Sequence, residues 1–174
     1  EVIKKALGKL RRENEILVIE GAGSPVEVNL KEKDLANMKV ASLADSPVIL
    51  IADIDRGGAF AALIGTLELL EPKERAMVDG FIINKFRGEP LLLQPALDFL
   101  EERTGLPVLG VIPFMENLEI DEEDSRFFSG KEKSPEEEVD ETARRRKREE
   151  SYDRLADMLR KQLNLKRLYA IMGL

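Results

Sequence analysis

Four short apolar runs, each ending in a polar or glycine-bearing turn, limit the architecture open to this chain. They are Ile16-Leu17-Val18-Ile19-Glu20, Pro47-Val48-Ile49-Leu50-Ile51-Ala52-Asp53, Gly80-Phe81-Ile82-Ile83-Asn84 and Pro107-Val108-Leu109-Gly110-Val111-Ile112-Pro113. Unbroken apolarity, rather than alternation, marks strands buried on both faces. Helical spacing fills the gaps. Val2, Ile3, Ala6, Leu7 and Leu10 share a face of residues 1–13. Residues 34–44 and 59–70 read as helices, as do residues 93–103, with Pro95 in the first turn where a missing amide costs nothing. Such alternation predicts an α/β fold: a parallel sheet with helices on both faces.

Composition narrows the chemistry. The 174 residues suffice for one domain with a real core. A net charge of −7 argues against duplex nucleic acid as a partner. There is no cysteine and no histidine, which excludes disulfides, thiolate metal sites and Ser-His-Asp or Cys-His catalysis within these residues. Carboxylates, lysine, arginine, backbone amides and a bound metal remain. No apolar run approaches the ~20 residues of a membrane span. Glu1-Val2-Ile3-Lys4-Lys5 lacks a signal-peptide pattern, so a cytoplasmic chain is expected. It opens without methionine inside a helical pattern, which reads as a fragment. No G-x-G-x-x-G follows any of the runs, which removes the usual mark of a Rossmann oxidoreductase.

Beyond Pro113 the pattern changes. Residues 116–124 are acidic and residues 129–150 almost wholly polar, with Glu136-Glu137-Glu138 before Arg144-Arg145-Arg146-Lys147-Arg148. The basic run has acidic neighbours and leads into a helix, so it reads as a solvated linker or helix face rather than a nucleic-acid contact or a targeting signal. Tyr152, Leu155, Ala156, Leu159 and Leu163, then Leu165, Leu168, Tyr169 and Met172, give two helical docking faces.

Ligands of open parallel sheets collect beyond the carboxyl ends of the strands. Glu20, followed by Gly21-Ala22-Gly23, either holds a magnesium ion against a phosphate or caps the following turn. Asp53-Ile54-Asp55-Arg56-Gly57-Gly58 combines two carboxylates with a guanidinium. Arg56 either pairs with a phosphate or carboxylate or is tied down by its acidic neighbours, and those acids themselves either serve a ligand or order the loop. Asn84 suits the edge of a purine, or is a turn residue. Ile112-Pro113-Phe114 is a ligand wall or ordinary packing.

These segments together resemble the cobyric acid synthase family. Glu20-Gly21-Ala22-Gly23-Ser24-Pro25-Val26-Glu27-Val28-Asn29-Leu30 is similar to its EGAGSPAEINL motif. Val48 to Gly58 resembles its VADIDRGG segment, Ile82 to Gly88 its INKFRG segment and Gly105 to Pro113 its GxPVLGVIP segment. Tyr152-Asp153-Arg154-Leu155-Ala156-Asp157 is similar to its C-terminal YDRLAD. The EGAGSP and ADIDRGG pair separates this resemblance from the related a,c-diamide synthase.

The resemblance implies a P-loop-NTPase-like domain similar to dethiobiotin synthetase over residues 1–125, a charged linker over 126–150 where the family's glutaminase domain would lie, and a helical tail over 151–174. It implies ATP- and glutamine-dependent amidation of peripheral carboxylates of adenosylcobyrinic acid a,c-diamide. Glu20 would then bind Mg2+, Gly21, Ala22 and Gly23 would lie against phosphate, Asn84 and Pro113 would flank the nucleotide, and Asp53, Asp55 and Arg56 would lie near ATP or the corrinoid carboxylate. Two departures stand out. Nothing here matches the phosphate loop G-x-x-x-x-G-K-[ST], and the glutaminase cysteine and histidine are absent. The expectation is a catalytically incomplete chain that needs the parent's glutaminase or another ammonia source. Its exposed sheet edges would favour a homo-oligomer or a partner strand. A shortened, non-catalytic binding or assembly module is the alternative from another class. An unrelated P-loop ATPase of the partitioning type would share the fold but not the DIDRGG segment.

Overall fold

A computed structural model describes residues 1–29, 35–116, 118 and 135–174, with the backbone alone for 135–143. The elements run α1 (Val2–Glu13), α2 (Met38–Ala44), β1 (Val48–Asp53), a 3-10 turn (Ile54–Arg56), α3 (Ala59–Leu69), α4 (Pro72–Arg75), β2 (Val78–Phe86), α5 (Pro90–Thr104), β3 (Val108–Pro113), α6 (Pro135–Gln162) and α7 (Leu165–Ile171). The sheet is parallel, in the order β1-β2-β3. Helices lie on both sides of it, as in P-loop-NTPase-like folds, and the C-terminal helices are present.

The core forms where α3 and α5 cover one face of the sheet. Leu50, Ala52, Phe81 and Ile83 meet Leu63, Leu67, Leu93 and Leu100 there. Strand side chains alternate between faces. Ile51 therefore points away from Leu50 and Ala52, and it is 61 % exposed. α1 is joined to α2 by the Arg11 guanidinium, which donates to the Ala44 carbonyl.

Three expectations require correction. Residues 16–20 are not a strand. They carry no regular secondary structure and lie in no ladder, and Val18 is 89 % exposed. A strand exists only when a neighbour accepts and donates its backbone hydrogen bonds, and among the described residues β1 pairs with β2 alone. Among the described residues the sheet accordingly has three strands, not the four expected. Second, α5 begins at Pro90, three residues before the predicted start, so Pro95 lies inside the helix and not in its first turn. Pro90 sets the entry, since its missing amide is one that no helical partner would have used. Pro95 leaves the Leu91 carbonyl without its helical donor, and Leu91 is exposed, so water can serve it. Third, the helix predicted over 34–44 is α2, starting only at Met38.

The family-like segment through Leu30 passes out of the described residues at that position, and so does most of the acidic 116–124 stretch. Of the 126–150 segment, 126–134 lie outside the described residues, and the rest belongs to α6. The α6–α7 junction docks on β3. Leu163 bridges antiparallel to Gly110, and the Asn164 amide donates to the Leu109 carbonyl at 2.7 Å. This covers the outer edge of β3.

Candidate functional site

The register of β1 and β2 sets Asp53 beside Asn84, so two of the sequence-predicted positions emerge together at the carboxyl end of the sheet. β3 ends beside them, with Pro113 paired to Phe86 and the Phe114 amide donating to the Phe86 carbonyl at 2.9 Å. Asp53, Asp55, Arg56, Asn84 and Pro113 therefore share one rim.

Charges on this rim are matched in pairs. The Lys85 ammonium lies 2.8 Å from Asp53 Oδ2, and the Asp55 amide donates to Asp53 Oδ1 at 3.0 Å. Asp53 is thus held below the usual carboxylate pKa, chiefly by the Lys85 hydrogen bond, with the Asp55 amide and the Arg56 charge adding to it. Desolvation opposes the shift and loses. Arg87 Nε donates to Asp55 Oδ1 at 3.0 Å, and its guanidinium stacks 3.3 Å from the centre of the Phe114 ring. Arg87 therefore links the ends of all three strands. Arg56 Nε stays 3.7 Å from Asp53 Oδ2, beyond hydrogen-bond reach. Asn84 Oδ1 accepts from the Lys85 backbone amide at 2.9 Å, with Lys85 in the left-handed region at φ 61°. A non-glycine residue there is uncommon and tends to mark a constrained site.

The Glu20 loop lies elsewhere. With Ile19, Gly21 and Gly23 it forms one wall of a groove of about 420 Å³, and Asn37 and Val48–Ile51 form others. The groove touches none of Asp53, Asp55, Arg56, Asn84 or Pro113. Among the described residues the structure thus makes two groupings of the predicted positions, not one. The Asn37 side chain holds the loop: its Oδ1 accepts from the Ala22 amide at 3.0 Å, and its Nδ2 donates to the Ala22 carbonyl at 2.8 Å. Gly21 passes so close that a Cβ there would lie 2.2 Å from Asn37 Oδ1. Of the three loop amides, that of Ala22 is thus already used.

Glu20 is exposed, and no three acidic side chains converge as a metal cage among the described residues. Magnesium is commonly held by one or two carboxylates together with water and phosphate oxygens. A lone exposed carboxylate beside glycine backbone fits an ion shared with phosphate.

Sequence reasoning missed Asn37, Lys85 and Arg87. Asn37 falls inside the helix predicted over 34–44; in the structure it is the N-cap of α2, and its side chain makes no cap hydrogen bond. Lys85 and Arg87 did leave a signal. Acids at 53 and 55 after one strand face cations at 85 and 87 after the next, with the same spacing.

Comparison with known proteins agrees with the motifs. A family model described as an AAA domain matches residues 1–121. The chain is similar to cobyric acid synthase of Carboxydothermus hydrogenoformans, 66 % identical over 125 residues, which are 72 % of this chain and 25 % of that protein. It is 64 % identical to cobyric acid synthase of Desulfitobacterium hafniense over 124 residues, 71 % of this chain and 24 % of the other. For the Sorangium cellulosum protein of the same name the figure is 57 % over 131 residues, 75 % and 25 % of the two chains. The chain spans about a quarter of the length of these curated relatives. No solved structure matches. The resemblance to cobyric acid synthase is borne out.

Proposed function

The chain belongs to the AAA domain family, and from that premise we propose that it serves an ATP-dependent amidation in cobalamin biosynthesis. The substrate is a corrinoid, adenosylcobyrinic acid a,c-diamide, and glutamine is the amide donor through a glutaminase outside these residues. The observation that supports this reading most is convergence: the segments similar to the family's motifs at Val48–Gly58, Ile82–Gly88 and Gly105–Pro113 end on one rim of a parallel sheet, where such folds seat ligands.

In this reading the substrate carboxylate attacks the γ-phosphorus of ATP, ADP leaves, and an acyl phosphate forms. Ammonia then adds to the acyl carbon, and phosphate leaves as the carboxamide is made. Neither step requires a protein nucleophile. Both require neutralised phosphoryl oxygens, orientation and exclusion of water, which a site without histidine or cysteine can supply. Glu20 would hold Mg2+, which would supply charge neutralisation at the phosphates. Gly21 and Gly23 offer close-approach backbone, while Asn37 fixes the loop through Ala22. Asn84 addresses the base with its amide group, and Pro113 forms part of the nearby wall. Asp53, Asp55 and Arg56 form the substrate side of the rim.

Calorimetry of ATP binding with and without Mg2+ tests this. Without a phosphate loop in these residues, binding is expected to be weak and magnesium-dependent. Glu20→Ala should remove the magnesium dependence, at a cost of about tenfold in affinity, or roughly 1.4 kcal/mol. A Glu20→Ala protein that binds as the parent does, with the same response to Mg2+, would sink the metal role.

A further inference from the structure

Asp53, Asp55 and Arg56 are adjacent in sequence, yet their surroundings differ. Both Asp53 oxygens are occupied, by the Lys85 ammonium at 2.8 Å and the Asp55 amide at 3.0 Å. Asp55 is engaged by Arg87, which Phe114 backs at 3.3 Å. A carboxylate already neutralised and hydrogen-bonded in this way is a poor general base and a poor metal ligand. Lys85 and Arg87 are committed to these same pairs. Arg56 differs: its side chain is 86 % exposed, its nearest acid is at 3.7 Å, and no hydrogen bond engages its donors among the described residues. Three cations face two carboxylates on this rim, so it is locally positive on a chain of net charge −7. The backbone after Arg56 is open as well, with nothing within 4 Å of where side chains at Gly57 and Gly58 would project.

We propose that Arg56 is the residue that receives the carboxylate of the substrate, and that Asp53 and Asp55 are positioning residues that hold its turn through Lys85 and Arg87. A guanidinium presents parallel N–H donors that match the two oxygens of a carboxylate. The assignment favours carboxylate over phosphate because the loop that suits phosphate, Gly21–Gly23, opens on a groove that the Arg56 turn does not line. The choice of a corrinoid carboxylate rests on the function proposed above. Recognition of an oxyanion by Arg56 does not.

The test is an NMR titration of the full 174-residue chain, reading arginine Nε–H and the Gly57 and Gly58 amides, with sodium chloride as an ionic-strength reference. Glutarate should shift the Arg56 Nε–H saturably and more tightly than inorganic phosphate. Arg56→Gln should weaken glutarate about tenfold, as loss of one charge-assisted pair does, and Arg56→Lys by less. Asp53→Asn keeps an acceptor for the Asp55 amide but breaks the Lys85 pair, so it should weaken glutarate by less than Arg56→Gln does. A second arm compares cobyrinic acid, which carries peripheral carboxylates, with cobinamide, in which they are amides. The acid should bind more tightly, and Arg56→Gln should abolish the preference. Equal response to chloride and glutarate, a response at Arg87 or Lys85 without one at Arg56, or a loss in Asp53→Asn as large as in Arg56→Gln overturns the proposal. Tighter phosphate than glutarate overturns the carboxylate assignment. Glutarate binding at Arg56 with no binding of either corrinoid leaves the role of Arg56 standing and removes the corrinoid reading.

Discussion

At the scale of single residues, the rim is governed by which charge reaches which. Asp53 lies between Lys85 and Arg56, and its lowered pKa makes it a contributor to the acid stability of the fold. The sign follows from linkage. A carboxyl whose folded pKa lies below its unfolded value of ~3.9 stabilises the fold above that value and loses the contribution as pH falls through the folded pKa. The window therefore lies below about pH 4. Asp53→Asn should flatten the dependence of stability on pH in that window and leave it unchanged near neutrality. Urea melts of the two proteins at a series of pH values between about 2 and 7 measure this, and parallel curves throughout would contradict it. The acids were legible in the sequence because they follow an apolar run. Their roles were not, because the cations that engage them lie 32 positions further along the chain. Only the matching spacing of 53, 55 and 85, 87 hinted at the pairing. Asn37 left no such hint, since its side chain serves a loop 15 residues before it.

At the scale of elements, the two outer strands are finished differently. β3 is covered by the α6–α7 junction, and that docking depends on the absence of a side chain at Gly110. A Cβ there would lie 2.4 Å from the Gln162 carbonyl and 2.6 Å from the Leu163 side chain. Gly110→Ala must push the junction away or strain it. The expected cost is about 1–3 kcal/mol, the usual range for overpacking a close contact. Hydrogen exchange locates the damage: the Asn164 amide, 2.7 Å from the Leu109 carbonyl, should lose protection while the β1–β2 amides keep theirs. Full protection at Asn164 in the variant would show that the junction does not rest on Gly110. Helical spacing in Tyr152, Leu155 and Leu159 gave away a docking face, but periodicity cannot name the surface it meets. The helix start at Pro90 was missed for a related reason. Leu91 and Leu92 are exposed, so the apolar pattern that marks α5 begins only at Leu93.

At the scale of the whole molecule, four apolar runs of similar strength predict four strands, and among the described residues three of them form the sheet. Composition and alternation predicted the fold class because both are local properties of the sequence. Strand pairing is not local: a run becomes a strand only when another brings its unpaired edge alongside. Ile16–Glu20 carries the apolarity of a buried strand without the burial, and Val18 stands 89 % exposed while Ile83, on β2, is fully enclosed. Truncation at the two positions tests this division. Ile83→Ala removes methyl and methylene groups from the center of the core formed by the sheet, α3 and α5, and should cost about 2–5 kcal/mol, as large-to-small core substitutions do. Val18→Ala removes two methyls that already face water and should stay within about 0.5 kcal/mol. Denaturant melts with unchanged slopes make the two values comparable. A cost at Val18 approaching that at Ile83 would mean that Ile16–Glu20 is packed in solution as a strand, because surface that is already wet contributes almost nothing when it is removed.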